Sequence, residues 1–173
     1  MVETVINKLI RDVPDFPKPG IVFKDITPLL SDPGAMTLIY EALAAPYLNA
    51  GVTKVIGIES RGFIFGTPLA DRLGVGFVPI RKPGKLPWKC VSESYSLEYG
   101  KDTLELHIDS IGPDDKVVIV DDLLATGGTL GAACRLVKGL GATIVGCSVV
   151  IELGFLEGRA KLADHTIHSL VSY

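Results

Sequence analysis

The chain predicts an α/β fold, a mainly parallel sheet flanked by helices, on three observations. Val117, Val118, Ile119 and Val120 are four β-branched residues in a row after the charged turn Asp114, Asp115 and Lys116, the pattern of a short buried strand. A small-residue loop and a helix-compatible run, residues 130–138, follow that strand. The same order of strand, small-residue turn and helix recurs at residues 54–74. In open α/β sheets the ligand crevice lies outside the carboxyl ends of the strands, so the turns after residues 58, 80, 120 and 151 are where function is expected.

At the N-terminus, Val2, Val5, Ile6, Leu9 and Ile10 form one helical stripe, which Pro14 ends. Residues 15–28 carry prolines at 17, 19 and 28 and Gly20, which fix an extended path presenting Phe16 and Phe23. Residues 1–33 therefore read as an arm or hood over the core. Asp32, Pro33 and Gly34 open a helix that runs through Leu43 and stops near Gly51, with Pro46 kinking or shortening it. Residues 54–58 are a buried strand, and Glu59, Ser60, Arg61 and Gly62 turn into the next helix. Residues 75–80 are a third strand, followed by Arg81, Lys82, Pro83, Gly84 and Lys85. Cations at the end of a sheet strand suit an anionic ligand better than a plain solvated turn does.

Residues 86–100 show no clear period and fit either a lid over a site or an exposed hairpin. Leu104, Leu106 and Ile108 alternate with polar residues as in a half-buried strand. Residues 142–151 read as another buried strand with Glu152 and Leu153 at its end, and residues 166–171 as a final edge strand.

Function enters at residues 121–129. Asp121 and Asp122 stand at the end of a buried strand, and Ala125, Thr126, Gly127, Gly128 and Thr129 lead into a helix. Loop N–H groups at a helix N-terminus, with two threonine hydroxyls, suit a phosphate. Adjacent carboxylates accept hydrogen bonds from a diol. Together they describe a ribose 5-phosphate. No Gly-Lys-Ser/Thr follows, which excludes a Walker loop, and the paired glycines exclude a dinucleotide fingerprint.

The chain has 173 residues, of which 47% are hydrophobic and 21% charged, a globular balance read as one domain over 1–173. A net charge of −3 gives no electrostatic case for nucleic acid as a partner. Three cysteines without a C-x-x-C pair suit a reduced compartment, and three scattered histidines suggest no metal site. No apolar run approaches the ~18 residues of a membrane helix. The N-terminus lacks signal-peptide character, so a cytoplasmic protein is expected.

The stretch 117–129 resembles the ribose-phosphate signature of the type I phosphoribosyltransferases. Residues 14–17 and 20–28, with Tyr95, Ser96, Leu97, Glu98, Tyr99 and Gly100, resemble the adenine phosphoribosyltransferase family. The resemblance spans Pro14 to Leu153 through five motifs in order. It implies transfer of a 5-phosphoribosyl group from 5-phosphoribosyl 1-diphosphate to adenine, giving AMP and diphosphate. It assigns Asp121 and Asp122 to the ribose and residues 125–129 to its 5-phosphate. The diphosphate falls to two loops: Glu59, Ser60 and Arg61, in a turn that in the wider family often carries a non-proline cis peptide, and Arg81, Lys82 and Lys85 after the third strand. Adenine falls to Phe23, to the backbone of Val22 and Lys24, and to Leu153 opposite Phe23. The family often has Arg where this chain has Lys24. Residues 82–101 become a flexible lid, with Glu98 carrying a proton to the base and Tyr99 near the reaction centre; the residues alone favour a solvated Glu98. Also implied are a homodimer and Mg²⁺ bridged through the substrate, with no direct protein ligand.

Two other readings share the fold. A phosphoribosyltransferase for another base lacks support from the hood motif and residues 95–99. A ligand-sensing regulator would be expected to carry a DNA-binding segment, for which there is no room before Pro14.

Overall fold

In the computed structural model, which describes residues 2–96 and 101–173, five strands lie side by side and parallel. Helix α1 (Val2–Leu9) buries Ile6. Strands β1 (Arg11–Pro14) and β2 (Val22–Asp25) pair antiparallel, Val13 opposite Phe23. The extended arm is thus a hairpin, closed by hydrogen bonds from Phe16 N–H to Ile21 O and from Gly20 N–H to the Asp15 carboxylate. A one-turn helix, α2 (Thr27–Leu30), precedes α3 (Pro33–Ala44). Asp32 caps α3 by accepting from Ala35 N–H at 2.9 Å, and Pro33 fills the first turn, where a missing N–H costs nothing. At Pro46 the helix tightens into a 3-10 turn, Ala45–Tyr47.

The sheet begins with β3 (Lys54–Ile58), followed by α4 (Gly62–Leu73) and β4 (Gly76–Ile80). Gly74 closes α4 at φ 67°, a left-handed conformation that glycine adopts without a Cβ penalty. Strands β5 (Cys90–Ser96) and β6 (Lys101–His107) form a separate antiparallel ribbon. Then come β7 (Lys116–Leu124), α5 (Gly128–Gly139), β8 (Thr143–Glu152) and β9 (Ile167–Ser172), with 3-10 turns at Gly154–Leu156 and Gly158–Leu162.

The sheet order is β4-β3-β7-β8-β9, every pair parallel. The expected edge strand at residues 166–171 is β9. Both faces are covered, which is why the central strands read as unbroken apolar runs. Val117 and Ile119 face α5 and the ribbon, packing with Leu104, Leu130 and Val137. Val118 and Val120 face α1, α3 and α4, packing with Ile39, Phe65 and Leu69. From β3 the chain steps one way to β4 and later the other way to β7 and β8. The order therefore reverses between β3 and β7, the place where a crevice opens at the carboxyl ends.

The ribbon replaces half of the stretch without a clear period. In β5, Val91, Glu93 and Tyr95 point inward and the serines outward. Glu93 is held there by Arg135 at 2.5 Å, so a charged residue sits at an inward position and masks the alternation. Strand β7 also runs past the acids to Leu124, because β8 continues beside it and pairs Asp121 with Val149 and Leu123 with Ile151. Among the described residues no helix is long and apolar enough to cross a membrane.

Candidate active site

A cavity of about 300 Å³ opens at the reversal point. From the turn after β3 it takes Glu59, Ser60 and Arg61, and from β7 and its loop Asp121, Asp122 and residues 125–129. Lys82, Tyr95 and Asp102 complete it. Most of the polar residues singled out in the sequence therefore share one wall-to-wall space. Glu98 and Tyr99 lie outside the described residues.

The phosphate loop is built by two glycines packed back to back. Gly127 caps α5 at φ 78°, and a Cβ there would lie 2.5 Å from Gly158 O. Glycine has no side chain to cap the helix, so the first N–H groups of α5 remain donors for a ligand. Behind the loop, Arg159 pins the Gly158–Leu162 turn to the sheet. Its guanidinium meets the buried Glu152 carboxylate at 2.6 and 2.7 Å and Ile167 O at 3.0 Å. Neither Gly158 nor Arg159 carries a local sequence signal, since their partners are Gly127 and Glu152.

The acid pair is asymmetric. Asp122 is 5% exposed and meets Arg61 Nε at 2.9 Å. Its backbone N–H donates to Asp121 Oδ1 at 2.9 Å. Burial, and then the neighbouring Asp122 charge, pushes the Asp121 carboxyl well above the ordinary range. Asp122 is also raised, because burial outweighs the Arg61 charge. Gly62 starts α4 against this pair, where a Cβ would lie 2.8 Å from Val120 O and 3.1 Å from Asp121 Oδ1.

The cations are already partnered by carboxylates. Arg81 Nε and Lys85 Nζ meet Glu59 at 3.2 and 2.5 Å, and Lys82 N–H donates to it at 2.9 Å. Burial alone would raise the Glu59 carboxyl, but Lys85, the Lys82 N–H and Arg81 together pull it down to about 2. Lys82 Nζ pairs instead with Asp102 on β6 and donates to Tyr95 Oη at 3.3 Å. Tyr95 Oη also receives the Thr129 hydroxyl at 3.2 Å. Tyr95 thus joins the cation loop to the phosphate loop. The Glu59–Ser60 peptide is cis.

The hairpin stands beside this cavity. The Phe23 ring lies 5.5 Å from the Arg61 guanidinium carbon and packs edge-on to Phe16 at 5.2 Å. Val22 and Lys24, one position either side on β2, turn the other way. They line a second cavity, of about 530 Å³, with Leu153, Phe155 and Tyr173. Lys24 Nζ is engaged by Asp12 at 2.7 Å and lies 3.9 Å from the Tyr173 ring centre. Leu153 is therefore gathered with Val22 and Lys24, while the Phe23 ring accompanies Arg61.

Residues 30–168 match the phosphoribosyl transferase domain family. The adenine phosphoribosyltransferase of Nitrosococcus oceani is 60% identical over 95% of this chain and 96% of its own length. The chain belongs to the adenine phosphoribosyltransferase family. Solved members of the family have the same architecture. The Rhodothermus marinus enzyme superposes with a TM-score of 0.94 at 52% identity, covering 99% of this chain and 98% of that one. The Saccharomyces cerevisiae enzyme, complexed with an imino-altritol bisphosphate and adenine, gives 0.93 at 39% identity, covering 98% of both. The all-parallel sheet and its reversal point are thus those of the family.

Proposed function

We propose that the chain transfers the 5-phosphoribosyl group of 5-phosphoribosyl 1-diphosphate to adenine, giving AMP and diphosphate. The observation that carries this is one cavity holding three devices: the N-terminus of α5, the acid pair, and a cation loop reached through Lys82. Their ligands are a phosphate, a diol and a second phosphate group, which are the polar parts of that one substrate.

Residues 125–129 donate to the 5-phosphate, and Asp121 and Asp122 accept from the ribose hydroxyls. Adenine N9 attacks the anomeric carbon as the bond to diphosphate breaks, through a transition state with ribosyl-cation character. Carboxylates fixed beside that carbon stabilise the growing positive charge. Arg61 and Lys82 face the departing diphosphate directly, while Glu59 holds Arg81 and Lys85 in the loop that delivers Lys82. Phe23 supplies a flat apolar surface for the base, with the backbone of Val22 and Lys24 reading its edge and Leu153 assigned to its opposite face. Glu98 is assigned the proton exchange with the base and Tyr99 a place in the lid, which excludes the water that would otherwise capture the cation.

The donor set fits a divalent ion that travels with the substrate. Glu59, Asp102, Asp121 and Asp122 outnumber Arg61 and Lys82 around the cavity, an acid excess unsuited to a bare polyanion. Among the described residues no group of three or more His, Cys, Asp or Glu side chains could cage a metal. Mg²⁺ binds most often through substrate phosphates with few protein ligands, so the substrate would carry it without a direct protein ligand, while Asp121 and Asp122 would hold the ribose of the same substrate. When bound it neutralises diphosphate charge as the leaving group departs. The active form is proposed to be a cytoplasmic homodimer.

The deciding experiment supplies purified protein with Mg²⁺, the sugar diphosphate and each of adenine, hypoxanthine and guanine. Adenine is consumed far faster than the other two, and AMP accumulates. Equal use of the three bases, or no AMP, refutes the assignment.

A further inference from the structure

Two carboxylates neutralise the cation loop, and they differ in how they can be displaced. Glu59 has a side chain only 8% exposed, and it is saturated by Arg81, Lys85 and the Lys82 N–H. It is a fixed part of the loop. Asp102 has a side chain 28% exposed, and its partner Lys82 is 33% exposed. Both line the cavity, so a ligand entering it reaches this pair directly. Asp102 is held from its own ribbon by the Thr103 N–H at 2.8 Å and the Tyr95 hydroxyl at 3.0 Å. Tyr95 and Asp102 are register partners on β5 and β6, so the ribbon positions the carboxylate with or without Lys82.

We propose that Asp102 is an internal counter-ion which competes with the substrate's diphosphate for Lys82 and so sets how tightly the site holds that group. The proposal rests on reading the cavity as the diphosphate site. A diphosphate that takes Lys82 leaves Asp102 without its cation. The carboxylate then faces an anion in a space already lined by Glu59, Asp121 and Asp122. Both consequences oppose binding, and both come from the charge of Asp102 rather than its shape. The enzyme thereby holds diphosphate less firmly than its cations alone would, which favours release of that product.

The test is isothermal titration with inorganic diphosphate, with the sugar diphosphate and with AMP, each in Mg²⁺ buffer without a second substrate. Asp102→Asn keeps the side-chain shape and removes the charge. It binds both diphosphates about 3-fold or more tighter than the wild type. AMP, whose phosphate belongs to the α5 loop, changes less than about 2-fold on the same scale. Asp102→Glu returns the affinity towards the wild-type value. In a Lys82→Ala background the gain from Asp102→Asn falls below about 2-fold, because there is no ammonium left to compete for. An unchanged or weaker affinity in natively folded Asp102→Asn overturns the proposal, as does an equal gain for AMP or a gain that persists without Lys82. If the wild type binds neither diphosphate, the reading of the cavity fails first, and the inference falls with it.

Discussion

Arg61 Nε lies 2.9 Å from Asp122 Oδ2, tying the turn after β3 to the acids of β7 across the point where the strand order reverses. This pair joins the leaving-group side of the cavity to the ribose side. It also leaves the neighbouring Asp121 as the carboxylate with the smaller share of positive charge, and the two acids consequently respond differently to substitution.

Asp121→Asn is expected to stabilise the free protein while removing most of its activity. Its carboxyl is raised by burial and by the Asp122 charge. A raised acid contributes stability that is full below its unfolded value, near 3.8, and is lost as pH rises through the folded value. Thermal melts at pH 8 should place the variant about 2 °C or more above the wild type, with the gap closing towards pH 4. Its kcat/KM should fall about 100-fold or more. Asp122→Asn loses activity too but gains no stability, because Arg61 is left without its partner.

Glu59→Gln should show the opposite pH behaviour. Its carboxyl is lowered to about 2 by Lys85, the Lys82 N–H and Arg81, which together outweigh burial. A lowered acid contributes stability above its unfolded value, near 4.5, and loses it as pH falls through the folded value. The variant should melt below the wild type at pH 7, and the difference should shrink from pH 4.5 downwards. The KM for the sugar diphosphate should rise about 10-fold, as the cation loop loses the anchor of Arg81 and Lys85. An unchanged KM would show that the loop holds its shape without Glu59.

What the chain revealed before folding follows from how local each signal was. Residues 55–58 and 117–120 are apolar on both faces, and that is visible in the chain itself because each of these runs is β-branched or glycine throughout. The phosphate loop was equally legible, since its chemistry is contiguous. The hairpin of β1 and β2 was not, because register partners such as Val13 and Phe23 are ten positions apart with three prolines in or near the turn. Tyr95 belongs to the lid motif without a role of its own there, and Asp102 and Gly158 carry no sequence signal as site elements, for a related reason. Each acts through a partner distant in sequence: Thr129, Lys82 and Gly127 respectively. Patterning along the chain records burial and turns, and it is silent about side chains that meet only after the sheet has formed.

Phe23→Ala should separate base binding from sugar binding. The ring stands next to Arg61 at the cavity, yet its neighbours are another aromatic and a guanidinium face rather than the phosphate loop. Stacking on a base is worth about 1–3 kcal/mol. Steady-state kinetics should show the KM for adenine raised about 10-fold or more, with the KM for the sugar diphosphate within about 3-fold of wild type. A rise confined to the sugar diphosphate would assign the ring to positioning Arg61 instead.

Gly158→Ala tests whether the turn behind the phosphate loop shapes it. A Cβ at 158 would collide with Ala125 O, and it would lie 3.0 Å from Leu124 Cδ1 and 3.1 Å from Gly127 N. Those atoms are backbone of the loop or side chain of the buried strand, so none can swing aside as a flexible side chain would. The turn cannot retreat easily either, because Arg159 fastens it to Glu152 and Ile167. The strain must therefore be relieved by moving residues 125–127, whose neighbouring N–H groups are aimed at the 5-phosphate. Overpacking of this kind costs about 1–3 kcal/mol. Part of that cost should appear as a lower melting temperature and part as a weaker hold on phosphate. The KM for the sugar diphosphate and the Kd for AMP should rise together by about 10-fold, since both ligands place the same phosphate on the loop. The Kd for inorganic diphosphate, which lacks that group, should stay within about 2-fold of wild type. A loss shared equally by all three ligands would point to general collapse of the cavity, and unaltered AMP binding would show that the loop holds its shape without Gly158.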